Sequence, residues 1–208
     1  MTESTITQTP PLSACGATLR LRILQTTDVH GNLLPFDYYT NQPDRPWGLA
    51  RLATQIKRAR SEVGAENCLV LDNGDFLQGT PLTDLTAQPD NGWTGPHPIL
   101  AAMNDIGYDA GTIGNHEFNF GLEWLMDTLA QARFPLTCCN VLTRRGGTPV
   151  DDTTLLPPYL LLNKQMQDRD GGSHSLRIGL LGLVPPQILT WDHARLSGRI
   201  DVRDMVES

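Results

Sequence analysis

The chain has 208 residues, 39% of them hydrophobic, enough to bury one sizeable core. Its net charge is −7 and its Lys and Arg are scattered, which excludes a surface built to coat a nucleic-acid polymer. A single nucleotide is not excluded as substrate, because a metal ion can neutralise its phosphate locally.

Residues 1–18 are polar and rich in Thr and Pro, with neither a basic nor an apolar segment of the kind a signal peptide needs. They read as a flexible N-terminal tail. "LRLRILQTTD" (19–28) alternates Leu19, Leu21 and Ile23 against Arg20 and Arg22, then turns polar, and predicts a strand. "GLARLATQIKRARSEVG" sets Leu49, Leu52, Ala53, Ile56 and Val63 on one helical face. "NCLVLDNGD" is a short apolar run ending in polar residues, a buried strand. The alternation continues through a helix at "HPILAAMNDIG", a weaker strand at "YDAGTIG", a helix at "GLEWLMDTLAQARF" and a strand at "PLTCCNVL". In that last helix Leu122, Leu125, Met126 and Leu129 share a face. Residues 143–175 read as an excursion, with a hairpin, and "LRIGLLGLV" (176–184) as the clearest buried strand. "DVRDMVES" reads as the opening turns of a helix. The fold class is therefore α/β, a layered sandwich with a mostly parallel central sheet and flanking helices. No segment is long and apolar enough to cross a membrane as a helix. Cys15, Cys68, Cys138 and Cys139 form no C-x-x-C, so they read as buried thiols rather than a zinc site.

Three strand ends carry ligand-type side chains. "TDVHG" brings Asp28 and His30, which an extended strand would point to one face. "DNGDFLQG" brings Asp72, Asn73 and Asp75, with Gly74 allowing a tight turn. "GNHE" brings Asn115 and His116. In open parallel sheets ligands collect beyond the carboxyl ends of strands, where these loops would converge. Oxygen and imidazole donors without thiolate suit Mn²⁺, Zn²⁺, Fe or Co²⁺. "DVH" and "NGD" alone read as ordinary strand-end turns, and "GNHE" alone is more specific without deciding between turn and site. The three in this order, each at a strand end, favour a metal site over an α/β module whose polar loops merely end its strands.

"DVH…GD…GNHE" resembles the ordered signature of the calcineurin-like dinuclear metallophosphoesterases. "TTDVHGNL", "LDNGDFLQGTPL" and "GNHEFNFG" resemble their 5′-nucleotidase superfamily. "FDYY" (36–39) and "IGLLGLVPPQILTWD" (178–192) are similar to the bacterial 2′,3′-cyclic-nucleotide 2′-phosphodiesterase/3′-nucleotidase branch. The resemblance runs from about residue 19 to 208. It implies two divalent ions, with Asp28 and His30 on the first, Asp75 bridging, and Asn115 on the second. It leaves His116 off the metals, to stabilise charge at phosphorus and protonate the leaving oxygen, while water activated by the ions attacks in line. Glu117 has no firm role beyond support of these residues. The implied substrate is a small nucleotide, and the implied location is the periplasm or cell surface; the lack of a signal peptide makes the cytoplasm the alternative.

Two features depart from the wider pattern. Where 5′-nucleotidases carry an Asp after GNHE, this chain has Asn119, as the cyclic phosphodiesterase branch does. The family's later "H-x-G" and "G-H-x-H" ligand motifs do not occur, and His97, His174 and His193 read as surface or capping residues. Residues 19–208 thus read as the N-terminal part of a catalytic domain, without the C-terminal nucleotide-binding domain. The alternatives are a 5′-nucleotidase or UDP-sugar hydrolase, or an incomplete fragment that binds at most one ion weakly.

Overall fold

A computed structural model describes residues 16–88 and 92–208. Most of the expected tail, residues 1–15 with Cys15, lies outside the described residues. Four strands, β1 (Arg22–Thr26), β2 (Cys68–Asp72), β3 (Ala110–Thr112) and β4 (Leu136–Thr137), pair in parallel in that order. Parallel neighbours need crossovers, and helices α1 (Leu49–Val63), α3 (Pro98–Ile106) and α4 (Leu122–Leu129) supply them. A short helix, α2 (Pro81–Ala87), precedes α3. Sequential strand order with right-handed crossovers sends the three connecting helices to one face, where α1 packs on α3. The α/β class and the parallel sheet are as the sequence predicts.

The core joins Ile56, Ile99, Leu100, Met103, Leu125 and Val70, all at most 5% exposed. Two helix-face assignments need correction: Leu52 and Met126 are each 37% exposed, one position off the buried stripe. In β1, Leu24 packs against the core and Ile23 is 58% exposed.

"PLTCCNVL" is two strands rather than one, β4 and then β5 (Val141–Arg144). Strand β5 pairs antiparallel with β6 (Thr153–Thr154) and β9 (Asp201–Val202). The expected terminal helix at "DVRDMVES" is thus a strand followed by turns. Arg203, beside β9, pairs with Asp152 (2.7 Å), and this long-range pairing outweighs the local helix signal.

The excursion is a hairpin, β7 (Leu160–Gln167) with β8 (Ser173–Leu180), pinned to the body by Asn67–Gln167 and Lys164–Asp109 contacts. The run "LRIGLLGLV" is not a strand buried on both faces. Its residues alternate in exposure, and Leu181 is 61% exposed. A continuous apolar run mimics a central parallel strand, but here only one face packs on the body.

After the hairpin the chain returns beside β4. Cys139 N–H donates to Gly182 O, and the buried Asn140 side chain brackets Val184 through its N–H and C=O. A side chain at Gly182 would collide with Thr112 and Thr137. The two short helices that follow, α5 (Ile188–Trp191) and α6 (His193–Leu196), bury Ile188 and Leu196 completely. Cys68 and Cys138 are buried free thiols, as expected, and Cys139 is half-buried.

Candidate active site

The three motif loops meet at the carboxyl ends of β1, β2 and β3. Strand β1 ends at Thr26, and Asp28 and His30 both take left-handed backbone (φ 53° and 47°). Strand alternation is therefore not what brings them together. Instead the loop lies along its neighbour: Asp28 N–H donates to Gly74 O, His30 N–H to Asp75 O, and Gly31 N–H to Phe76 O. Asp75 is also left-handed (φ 58°). Non-glycine residues avoid this region, so three such residues in two touching loops mark backbone held in place by its surroundings.

Gly74 (φ 92°) is the contact point with the third loop, because a side chain there would strike the backbone of Ile113 and Gly114. Glu117 locks the same contact. Fully buried, it accepts N–H bonds from Asp75, Phe76, Leu77 and Gly114 at 2.6–3.0 Å. Burial raises its pKa, and the backbone donors oppose that shift. Thr80, at the start of α2, donates to Gly31 O and secures the first loop from the other side.

The functional atoms converge. A His30 ring nitrogen, an Asp75 carboxylate oxygen and a His116 ring nitrogen lie within 4.8 Å of one another. The Asp28 carboxylate is 3.5 Å from His30 Nε2. The His30 and His116 rings meet edge to face with centroids 4.8 Å apart. His30 Nδ1 faces Gln78 O at 3.0 Å, so it carries the proton and leaves Nε2 as a free donor to a metal. His116 N–H donates to one Asp75 oxygen, leaving the other to ligate. Asn115 begins the helical turn His116–Phe118, and its side chain bonds no other described residue. This donor set fits a divalent cation: neutral imidazole nitrogen, carboxylate oxygen and amide oxygen.

His116 shares that space, but its Nδ1 is taken by Asn119 Oδ1 at 2.8 Å. Asn119 in turn donates to both oxygens of Asp192 at 3.1 Å. Sequence reasoning assigned Asp192 no role, although it lies in the quoted "PPQILTWD"; no spacing rule links positions 119 and 192.

Two ligand-type residues do not join the site. Asp72 is buried, accepting from Thr26 Oγ1 (2.5 Å) and Gly74 N–H (2.9 Å), and burial pushes its pKa up to about 7. Asn73 points to solvent. Of the other histidines, His193 is exposed and His174 pairs with Asp168 at 2.7 Å. His97 is no surface residue: it is 3% exposed, edge-on to Trp124, and neither ring nitrogen bonds a described residue. Its position ahead of α3 makes it a helix cap by backbone alone.

A cleft of about 470 Å³ opens beside Asp28, lined by Trp47, Arg51 and Gln55. A larger recess of about 750 Å³, near Gly16, Asn67 and Asp168, lies at the amino ends of β1 and β2, away from these loops.

The calcineurin-like phosphoesterase family matches residues 21–197. The chain belongs to that family. It is 44% identical over 196 residues to a 2′,3′-cyclic-nucleotide 2′-phosphodiesterase/3′-nucleotidase of Yersinia enterocolitica, covering 94% of this chain and 29% of that protein. A 5′-nucleotidase of Vibrio parahaemolyticus is 30% identical over 90% of this chain and 29% of its own length. Among solved structures, the calcineurin-like phosphoesterase YfkN of Bacillus subtilis superposes with a TM-score of 0.81 at 40% identity, over 91% of this chain and 55% of that one. The metallophosphoesterase fold is thus shared, and the chain spans under a third of the two curated relatives' length.

Proposed function

We propose that this phosphoesterase chain serves the metal-dependent hydrolysis of nucleotide phosphoesters, with nucleoside 2′,3′-cyclic phosphates and 3′-nucleotides as substrates. The observation that carries the reading is the convergence of His30, Asp75 and His116 at three adjacent strand ends, with Asp28 beside His30 and Asn115 next to His116 in the chain. The name of the Yersinia relative, at 44% identity, supports this substrate class over that of the 30% identical 5′-nucleotidase.

Asp28, His30, Asp75 and Asn115 would hold the metal ions, drawn from Mn²⁺, Zn²⁺, Fe and Co²⁺. Bound there, such ions supply Lewis acidity toward the phosphoryl oxygen and water activated for attack. His30 contributes Nε2, because Gln78 O holds its other nitrogen protonated. Asp75 presents its free oxygen between the first and third loops. His116 would present Nε2 to the phosphoryl group; with Nδ1–H held by Asn119, it is the doubly protonated ring that stabilises charge and hands its Nε2 proton to the leaving oxygen. Glu117 keeps Asp75 and the Gly114–His116 turn in register. Location in the periplasm or at the cell surface belongs to the same proposal, and fractionation of the native cells tests it.

The metal-loaded enzyme is assayed against 2′,3′-cyclic AMP, 3′-AMP and 5′-AMP. The expected order places the cyclic and 3′ substrates first, and preference for 5′-AMP would move the chain to the 5′-nucleotidase reading. Asp75→Ala should abolish turnover; retained activity would sink the metal mechanism. A second reading rests on the small number of ligands this chain brings. Asp28, His30, Asp75 and Asn115 are too few to saturate two ions, so the 208-residue chain alone is expected to bind one ion weakly and turn over little. Elemental analysis showing two tightly held ions would contradict it.

A further inference from the structure

We propose that Asp192 is a positioning residue for His116, acting through Asn119. Its carboxylate orients the Asn119 amide, and the amide holds His116 in the tautomer that carries its proton on Nδ1 and turns Nε2 to the reaction site. The functional meaning of this rests on His116 acting as proposed above; the orientation itself does not.

The Asn side chain is nearly symmetric in shape, and alone it could offer either its oxygen or its NH₂ to a neighbour. A carboxylate is acceptor-only, so Asp192 decides the matter. Both its oxygens lie 3.1 Å from Asn119 Nδ2, which turns the NH₂ to Asp192 and leaves Oδ1 facing His116. At 2.8 Å from that oxygen, His116 Nδ1 must be a donor.

Asp192 is itself held for this task. It stands between α5 and α6, with its N–H on Ile188 O and its C=O accepting from Arg195 and Leu196. Ile188 and Leu196 anchor both helices in the core. Asp at the start of a helix ordinarily caps it with its carboxylate. Here the Asp192 side chain makes no capping bond to α6, and its oxygens go to Asn119 instead. The arrangement also accounts for Asn119. An Asp there would set two carboxylates about 3 Å apart, each destabilising the other's charge. Asn119 and Asp192 are therefore a matched pair, and the segment "PPQILTWD" exists in part to deliver one member of it.

The test reads the tautomer directly. Long-range ¹H–¹⁵N NMR on the metal-free 208-residue chain, at a pH where the ring is neutral, should show His116 protonated at Nδ1. Asp192→Ala, which frees the amide to turn, should shift the population toward the Nε2–H form that free histidine favours. Should Asp192→Ala not fold, Asp192→Asn keeps the shape and removes one of two acceptors, and a partial shift is expected. Asn119→Asp puts an acceptor-only carboxylate against Nδ1 and should keep the Nδ1–H form without help from position 192. The double variant Asn119→Asp/Asp192→Asn should therefore hold the Nδ1–H form that Asp192→Asn alone loosens. An Nε2–H form in the unsubstituted chain, or a tautomer indifferent to every substitution at position 192, overturns the proposal. In the metal-loaded enzyme, Asp192→Asn should lower kcat about tenfold or more with KM little changed, and less for a p-nitrophenyl ester, whose leaving group needs no proton. A tautomer shift without that kcat loss would leave Asp192 as the orienting group and overturn His116 as the acid. A kcat loss without a tautomer shift would overturn the role of Asp192.

Discussion

Glu117 is the side chain on which the loop geometry turns. Four backbone N–H groups converge on one buried carboxylate, and a neutral amide cannot receive them all, since its NH₂ would face donors. Glu117→Gln is expected to cost roughly 2–4 kcal/mol in urea denaturation and to weaken Mn²⁺ binding. His97 is the opposite case, a buried ring with two unanswered nitrogens. His97→Phe keeps the edge-on contact with Trp124 and removes the unsatisfied polar atoms. It should raise stability by about 1–2 kcal/mol at pH 7, and a loss there would mean that the ring has a partner after all. The sequence flagged Asn115, His116, Asp28, His30 and Asp75 through residue chemistry and order. It could not flag the burial of His97, which depends on α4 bringing Trp124 alongside.

At the scale of elements, the site is a joint between loops rather than a face of a strand. The backbone of the first loop bonds to the second, and the second touches the third at Gly74. Gly74→Ala places a methyl against that third backbone at a φ that L-residues avoid. The expected outcome is a loss of at least about 2 kcal/mol in stability, with metal affinity falling in parallel in a titration calorimeter. Helices α1, α3 and α4 were legible because apolar spacing repeats over several turns. The antiparallel pieces were not. Strands β5, β6 and β9 are short, and their pairing joins residues 141–144 to 153–154 and 201–202. Local propensity cannot see such pairing. The run "LRIGLLGLV", half of it in β8, reads as a strand buried on both faces because runs of Leu and Ile look alike whether one face or both are covered.

For the molecule as a whole, two buried groups pull stability in opposite directions with pH. Burial drops the His97 pKa to about 4, from an ordinary 6.5. The unfolded chain then takes up this proton first, so stability falls as pH drops from 6.5 through 4. Burial raises the Asp72 pKa to about 7, from an ordinary 3.8. The folded chain holds that proton more tightly, so stability falls as pH rises from 3.8 through 7. Each effect is of the order of 3–4 kcal/mol at its limit, so between about pH 4.5 and 6.5 the contributions of these two groups nearly cancel. Single substitutions separate them in thermal melts. His97→Phe should leave a chain more stable at pH 5 than at pH 8, and Asp72→Asn one more stable at pH 8 than at pH 5. The same Tm trend in both variants would rule out this pair as its source.

The sequence by itself determined the α/β class, the parallel pairing of successive strands, and the residues proposed to carry the chemistry. These follow from apolar periodicity and from ligand-type side chains at strand ends, which are local properties of the chain. Only the tertiary structure decided how those residues are held: in left-handed loop backbone rather than an extended strand, clamped by Glu117, with His116 oriented through Asn119 by an aspartate in a distant segment. Asp192 arrives there because Asn140 and Gly182 bring the chain back along β4 and α5 and α6 bury Ile188 and Leu196. Contacts of that kind depend on which surfaces the folded core brings together, and no pattern of spacing along the chain encodes them.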